Sequence, residues 1–169
     1  MSGERDADDA SASAPDGFAI ELAAPDDRLD VRRVLDAAML ETGSGGVDAA
    51  IDAGDAFVAR FDRTGAVVGA LVATRPEPAR LHVDAVAVRP ARRGRGIGSA
   101  LVAAAVRRAE RDGGVAVVTA AFDAELKGFY RELGFETVSA VDAGEPDRFR
   151  GYRRVDDGRD RQGTEARRD

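Results

Sequence analysis

The residue pattern with the clearest chemical meaning is Arg93-Gly94-Arg95-Gly96-Ile97-Gly98. It follows an apolar segment at residues 83–88 and leads into an alanine-rich segment with helical spacing, so it joins a predicted strand to a predicted helix. Glycines let backbone N–H groups approach a ligand closely, and the first turn of a helix adds N–H groups that have no intrahelical acceptor. The pattern therefore predicts an anion site suited to phosphate.

The glycine spacing excludes two common phosphate-binding loops. A dinucleotide fingerprint needs Gly-x-Gly-x-x-Gly, whereas Ser99 stands here where the third glycine should fall. A Walker loop needs Gly-Lys-Ser/Thr, which this sequence lacks. A glycine-rich turn with its arginines in solvent is the remaining alternative, and the flanking strand and helix argue against it.

A second motif, Phe129-Tyr130-Arg131-Glu132-Leu133-Gly134-Phe135, follows one helix and one strand later. The two motifs, in this order, resemble those of the GNAT family of N-acetyltransferases, which carry Arg/Gln-x-x-Gly-x-Gly/Ala and then an aromatic-Tyr-x-x-x-Gly-Phe run. The resemblance spans residues 18–155, although the N-terminal half is similar in pattern only.

The resemblance implies that the chain binds acetyl-CoA. The N–H groups of residues 94–99 would hold its pyrophosphate, and the strand residues Val86 and Val88 would pair with its pantetheine arm as an added strand does. The arginines at 89, 92, 93 and 95 would add positive charge near the phosphates. The implied cofactor-binding residues are Val86, Val88, Arg93, Gly94, Arg95, Gly96, Ile97, Gly98, Ser99 and Asp123.

Tyr130 is the candidate catalytic acid. Acetyl transfer releases a thiolate whose thiol has a pKa near 8.5, and a phenol with a pKa near 10 can donate a proton to it. The family places this role on the tyrosine that matches Tyr130. The alternative is an amphipathic tyrosine that packs beside Leu126, Phe129 and Leu133 at the edge of a short helix.

Asp123 departs from the family pattern, which often has asparagine at this position to hold the pantetheine region or a water. Aspartate keeps the acceptor oxygens and loses the amide donor. An N-cap of the helix that follows is an equal alternative for Asp123.

The resemblance implies Asp84 as the candidate base, because some family members place an acid near this position that acts through water. The alternation of a strand puts His82 on the same face. An exposed pair at the outer end of the strand is the competing interpretation. Deprotonation of a lysine-like amine, with a pKa near 10.4, costs roughly 4–5 kcal/mol of free energy at pH 7. Deprotonation of an α-amine costs only about 1 kcal/mol. Without a strong base, amines of low pKa are the easier acceptors.

The chain has no cysteine, so an acyl-cysteine intermediate is excluded and direct attack by a small-molecule or peptide amine in a ternary complex is expected. With a single histidine besides the carboxylates, we expect no metal. Asp48, Asp52 and Asp55 could attract a cationic amine or could simply form a solvated acidic face.

The elements that must position these residues alternate along the chain. Hydrophobic patterns and turn residues predict strands at 18–22, 56–61, 66–73, 81–88, 115–121, 135–141 and 149–155, and helices at 25–40, 47–53, 96–112 and 125–133. A flexible loop is expected at residues 42–46. This order predicts an α/β (α+β) fold, a mixed, mostly antiparallel sheet of about six or seven strands with helices on both faces. The resemblance makes it the acyl-CoA N-acyltransferase fold.

Composition sets the remaining expectations. We expect one N-acetyltransferase domain at residues 17–155 between disordered charged tails at 1–16 and 156–169. The net charge of −6 falls mainly on the tails, so the nearly neutral body argues against a nucleic-acid module that uses Arg89–Arg95. The sequence shows no signal peptide or apolar span, so we expect a cytoplasmic monomer or homodimer that does not bind membranes. A non-catalytic acyl-CoA sensor is the alternative function.

Overall fold

The computed structural model describes residues 14–38, 40, 44–141, 144 and 147–155. Seven strands and four α-helices lie in this part of the chain. They are β1 (Phe18–Leu22), α1 (Arg28–Ala37), α2 (Ser44–Ala53), β2 (Ala56–Phe61), β3 (Val67–Glu77), β4 (Arg80–Val88), α3 (Ile97–Arg111), β5 (Val117–Asp123), α4 (Lys127–Glu132), β6 (Glu136–Ser139) and β7 (Arg148–Arg154).

The strands form one mixed sheet in the order β1-β2-β3-β4-β5-β7-β6. The pairs β1–β2, β2–β3, β5–β7 and β6–β7 are antiparallel. The predicted fold class, a mixed and mostly antiparallel sheet with helices, is confirmed.

The chain divides into two compact units, the first comprising residues up to Thr74 with Val83–Ala105 and the second comprising Arg75–His82 with the chain from Val106 onward. In the first unit, apolar side chains of α1 and α2 pack with those of β2, β3 and β4. Val31, Leu35 and Val58 are among its fully buried members. The 3.6-residue period of the helices and the alternation of the strands bring these side chains to one core.

An ion pair joins β1, β2 and the turn before α1 in the first unit. Arg60 donates to Asp27 Oδ1 at 2.5 Å and to Glu21 Oε2 at 2.7 Å. Burial raises the pKa of Asp27, but the Ala24 N–H and the Arg60 guanidinium outweigh it, so the pKa is lowered overall. Asp27 therefore stays ionised at neutral pH and accepts hydrogen bonds from the Ala24 N–H and from Arg60.

In the second unit, β5 and β7 pair along their full length, from Val117↔Arg154 to Asp123↔Arg148. Gly151 lies beside a cluster of aromatic rings formed by Phe122, Phe129, Tyr130 and Phe135. A Cβ built on Gly151 would lie 2.9 Å from Phe122 Cε1 and 3.3 Å from Phe135 Cδ2. Glycine lets the two rings close over the strand at this point.

Several predicted bounds differ from those in the structure. The loop predicted at residues 42–46 is helical from Ser44 onward, because α2 begins three residues before Val47; residues 42 and 43 lie outside the described residues. β3 continues to Glu77 through Pro76, near a strand end where the loss of one N–H donor is tolerated. The strand predicted at residues 115–121 is β5, which begins at Val117 and ends at Asp123, two residues further along the chain.

The tails predicted at residues 1–16 and 156–169 lie outside the described residues, except for residues 14–16. Within the described residues, no helix is long and apolar enough to cross a membrane. The same part of the chain contains no group of three His, Cys, Asp or Glu side chains placed to hold a metal ion.

Candidate functional site

The glycine loop joins β4 to α3 in the first unit. After β4, a 3-10 turn at Pro90–Arg92 leads through Gly94 and Gly96 into the helix, which begins at Ile97. Gly94 has φ +77° and Gly96 has φ +83°, both in the left-handed region that disfavours side chains. The glycine positions are therefore set by the backbone path into the helix.

This loop presents a row of backbone donors. The first bond of α3 runs from the Ala100 N–H to the Gly96 carbonyl at 3.1 Å. Among the described residues, the N–H groups of residues 94–99 make no backbone hydrogen bond. Gly94, Arg95 and Gly96 are exposed. Donors at the positive end of a helix fit a pyrophosphate, as the sequence predicts.

The remaining predicted members of the loop contribute unequally. Ile97 is 1% exposed, and its Cγ2 would lie 3.2 Å from a Cβ built on Gly69 of β3, so its side chain belongs to the core and only its N–H can face a ligand. Gly98 and Ser99 are half-buried in the first turn of α3.

Three of the four arginines expected near the phosphates make contacts with other residues of the first unit. Arg89 Nε donates to the Val67 carbonyl at 3.1 Å, and Arg93 Nε donates to the Val88 carbonyl at 3.1 Å. The Arg92 guanidinium lies 4.2 Å from the centroid of the Phe61 ring. Arg95 has no such contact among the described residues, so it is the arginine with most freedom to reach an anion.

β4 alternates as the sequence predicts. Leu81, Val83, Ala85 and Ala87 are buried, whereas His82, Asp84, Val86 and Val88 alternate to the other face. Val86 and Val88 are half-buried, and Asp84 is exposed. Asp84 has no ion-pair partner among the described residues, so its role as a base stays a prediction.

Tyr130 lies in an aromatic cluster of the second unit and is 3% exposed. Its ring stacks on Phe122 with centroids 4.3 Å apart and meets Phe129 and Phe135 edge-on at 5.0 and 5.3 Å. Burial raises the pKa of Tyr130 to about 12. The hydroxyl is therefore protonated throughout the neutral range and is a weaker acid than an exposed tyrosine.

The glycine of the second motif ends α4. Gly134 has φ +87°, and the N–H groups of Leu133 and Phe135 both donate to the Tyr130 carbonyl. This turn sends the chain back so that Phe135 reaches the aromatic cluster. The motif thus builds the surroundings of Tyr130.

Asp123 lies at the end of β5, before the 3-10 turn that leads to α4. Asp123 occupies the N-cap position of that turn, as the alternative interpretation expected, but its side chain makes no capping hydrogen bond with the described residues. The carboxylate instead pairs with Arg148 Nη1 at 3.1 Å, because β7 places Arg148 directly opposite. Its predicted contact with the cofactor stays a prediction.

Of the three acidic residues Asp48, Asp52 and Asp55, Asp52 is exposed, whereas the other two are partly or fully buried. Asp48 pairs with Arg28 at 2.8 Å and with Arg32 at 2.9 Å. Asp55 is 1% exposed. These two carboxylates are therefore engaged or buried, which weakens the interpretation that they attract a cationic amine.

A cavity of about 320 Å³ in the second unit holds polar residues that the sequence analysis did not single out together. It is lined by Pro76, Arg80, His82, Thr119, Ala120, Ala121, Arg150 and Tyr152. The partial signals were a threonine within an apolar strand and a lone histidine, but only the register of β5 and β7 brings these residues to one place.

The predicted site residues are divided between the two units. The first unit contains the glycine loop with Asp84, Val86 and Val88, and the second contains Asp123 and Tyr130.

A sequence model of the Acetyltransferase (GNAT) family matches residues 24–135, which is more than half of the chain. No curated protein matches the chain by sequence. Among solved structures, Ard1 from Thermoplasma volcanium is similar, with 20% identity and a TM-score of 0.66 over 82% of this chain and 98% of Ard1.

Two further solved structures were determined with ligands. Arabidopsis thaliana Naa50, in complex with the bisubstrate analogue CoA-Ac-MVNAL, is 16% identical with a TM-score of 0.66 over 81% of this chain and 98% of that chain. N-acetylglutamate synthase from Neisseria gonorrhoeae, complexed with coenzyme A and N-acetyl-glutamate, is 19% identical with a TM-score of 0.63. That match covers 82% of this chain and 35% of the synthase chain. At these identities the likeness shows the fold.

Proposed function

Because the chain belongs to the GNAT acetyltransferase family, we propose that it transfers an acetyl group from acetyl-CoA directly to a primary amine. The observation that carries this proposal is the row of N–H groups at residues 94–99, which make no backbone hydrogen bond within the described part of the chain and open α3. Phosphate groups are the ligands that such a row binds best.

The loop and β4 would bind the donor. The N–H groups of residues 94–99 would hold the pyrophosphate, and Arg95 would add a bidentate contact to a phosphate. The backbone of Val86 and Val88 would hold the pantetheine arm by strand-like hydrogen bonds. When bound, acetyl-CoA supplies the acetyl group as an activated thioester. The chain's own residues have to orient it and stabilise the leaving sulfur.

Tyr130 would donate a hydrogen bond to that sulfur. With the pKa of Tyr130 at about 12 and that of a thiol near 8.5, complete proton transfer from the phenol is uphill by roughly 5 kcal/mol. Donation of a hydrogen bond to the developing thiolate costs no such transfer and is stabilising in a low-dielectric site. We therefore assign Tyr130 the role of a hydrogen-bond donor that stays protonated for most of the reaction.

The acceptor amine has to arrive neutral or lose its proton to a weak base. Asp84 could take that proton through water, and an exposed carboxylate is only a weak base. An α-amine with a pKa of 7.7–8.0 therefore suits this chain better than a lysine side chain. The ligands of the two similar structures, a peptide conjugate and an acetylated amino acid, support this choice of acceptor.

The alternative function is a sensor that binds acyl-CoA without turnover. Two observations favour it: the candidate base Asp84 is exposed, and the carboxylate of Asp123, expected to contact the cofactor, pairs with Arg148 instead. The two functions differ in a single observable, the release of free CoA that depends on an added amine.

A thiol-reagent assay tests the proposal cleanly. Since the chain has no cysteine, every thiol that the reagent detects is free CoA. We expect acetyl-CoA to bind and CoA to be released only when an amine is present. Binding without amine-dependent release would establish the sensor, and no binding at all would overturn both functions.

A further inference from the structure

The cavity of the second unit has an unusual balance of charge. Within the described part of the chain, its lining includes two arginines, Arg80 and Arg150, and the histidine His82, but no aspartate or glutamate. Its volume of about 320 Å³ suits a small molecule or the end of a larger one.

The two arginines of the cavity differ from their neighbours. Arg75 and Arg148, also in the second unit, pair with Asp112 and Asp123 at 2.5 and 3.1 Å. Arg80 and Arg150 have no carboxylate within ion-pair distance among the described residues. The Arg80 Nε is moreover shielded from solvent and has no hydrogen-bond acceptor in that part of the chain. A shielded donor without an acceptor costs free energy that a bound anion would recover.

Two polar residues in the lining of the cavity, His82 and Thr119, contact each other. His82 Nδ1 and Thr119 Oγ1 lie 2.8 Å apart, and Thr119 is 4% exposed. Because β5 and β7 pair in register, Thr119 lies opposite Tyr152 and Ala121 lies opposite Arg150. This register places small side chains beside the cationic ones and leaves room for a ligand between them.

We propose that this cavity binds an oxyanion group on the acceptor, so that the substrate is a small amine that carries a carboxylate or a phosphate. The inference rests on the proposed acetyl transfer and adds the substrate class. Guanidinium groups recognise both oxyanions with paired N–H donors. A polyamine would meet only like charge at Arg80 and Arg150, so cationic acceptors are disfavoured.

A panel of matched amines tests the substrate class. Alanine, alaninamide, phosphoethanolamine and putrescine present a carboxylate, a neutral amide, a phosphate and a second cation. We expect kcat/KM for alanine or phosphoethanolamine to exceed that for alaninamide and putrescine at least tenfold. The better of the two anionic amines identifies the oxyanion, and equal use of all four would overturn the inference.

Substitutions locate the effect in the cavity. Arg80→Gln and Arg150→Gln should each raise KM for the favoured anionic amine by about 10- to 100-fold, the loss expected for a hydrogen bond to a charged group. Their kcat and their affinity for acetyl-CoA should change little. Arg154→Gln is the matched control, because Arg154 is exposed on the same strand and does not line the cavity. An equal rise of KM in the control would contradict the assignment.

One readout needs no activity. His82 is the single histidine, so its ring resonance in an NMR spectrum reports on the cavity alone. We expect titration with alanine or phosphoethanolamine to shift that resonance in the intact chain, and Arg80→Gln to abolish the shift. A shift without any turnover would support oxyanion binding in the cavity and refute acetyl transfer. Turnover of neutral amines without a shift would support acetyl transfer and refute oxyanion binding in the cavity.

Discussion

Tyr130 shows how surroundings set the chemistry of one residue. Its ring is held by Phe122, Phe129 and Phe135, and the same burial that fixes its position raises its pKa to about 12. A phenol that holds its proton so firmly serves as a hydrogen-bond donor at any physiological pH. The residue could be chosen from the sequence because of its motif. Its weak acidity could not, because the packing of Phe122 depends on the register of β5.

Removing the hydroxyl of Tyr130 should affect the chemical step alone. We expect Tyr130→Phe to lower kcat by about 10- to 100-fold, because this is the effect of losing one hydrogen bond to a charged leaving group. The affinity for acetyl-CoA, measured by calorimetry, should be nearly unchanged because the aromatic packing is kept. Equal loss of binding and turnover, or no loss of either, would refute the assignment.

The raised pKa of Tyr130 also predicts how stability depends on pH. Below pH 10 the phenol is neutral in both the folded and the unfolded chain, so it contributes no pH dependence. Between pH 10 and about 12 only the unfolded chain releases the proton, so the free energy of unfolding falls by about 1.4 kcal/mol per pH unit. Urea unfolding at a series of pH values should show this component in the native chain and not in Tyr130→Phe. Parallel curves for the two proteins would show that burial does not shift this pKa.

At the scale of elements, the junction of β4, the glycine loop and α3 could be predicted almost completely. The positive φ of Gly94 and Gly96 and the start of α3 at Ile97 follow from the motif, because glycine is what this path requires. The orientation of the arginines could not be predicted. Arg89 and Arg92 contact Val67 and Phe61, which are distant in sequence.

A carboxylate in the loop should prevent donor binding. We expect Gly96→Asp to weaken CoA binding by about 100-fold or more, because the new charge would face the phosphates and the side chain would occupy their space. Gly65→Asp is the matched control, since Gly65 has φ +73° in the turn between β2 and β3 and no described residue lies within 4 Å of a Cβ built on it. Both variants carry a similar backbone strain of about 1–2 kcal/mol. Calorimetry that finds the same CoA affinity in both would exclude the loop as the pyrophosphate site.

The pairing of β5 and β7 positions the aromatic cluster through Gly151. Gly151→Ala would place its Cβ 2.9 Å from Phe122 Cε1, so we expect a loss of about 1–3 kcal/mol in the free energy of unfolding. The Phe122 ring would have to shift, and kcat should fall with it because Tyr130 stacks on that ring.

Gly128→Ala provides the control for this substitution. Gly128 lies in α4, and no described residue comes within 4 Å of the added Cβ, so alanine should be neutral or stabilising there by about 0.4–1 kcal/mol. Chemical unfolding of both variants checks the pair. Similar stability of the two would show that Phe122 can adjust without cost.

For the whole molecule, the sequence was sufficient to predict the order of elements and the family, and β1 and β2 have the predicted bounds, Phe18–Leu22 and Ala56–Phe61. Strands with such clear hydrophobic patterns and turn residues are predictable from local sequence. The cavity with Arg80 and Arg150 was not predictable, because it depends on which strands pair and in which register. The cytoplasmic location, the oligomeric state and the ends of the domain stay predictions.

Charge at this scale agrees with a small polar acceptor. The body of the chain is nearly neutral, while Asp48 is neutralised by Arg28 and Arg32 and the cavity of the second unit is cationic. A protein that acted on polycations or on nucleic acid would need a large surface of one sign. The local cationic cavity instead favours recognition of one anionic group.

Transfer of labelled acetyl groups tests the central claim most directly. The chain is incubated with acetyl-CoA carrying ¹³C in the acetyl group and with the amine panel, and products and protein are analysed by mass spectrometry. We predict that the label appears as an amide on the acceptor, one for each CoA released, with none on the protein. Label that remains on CoA, is released as acetate, or is found covalently on the protein would contradict direct acetyl transfer to an amine.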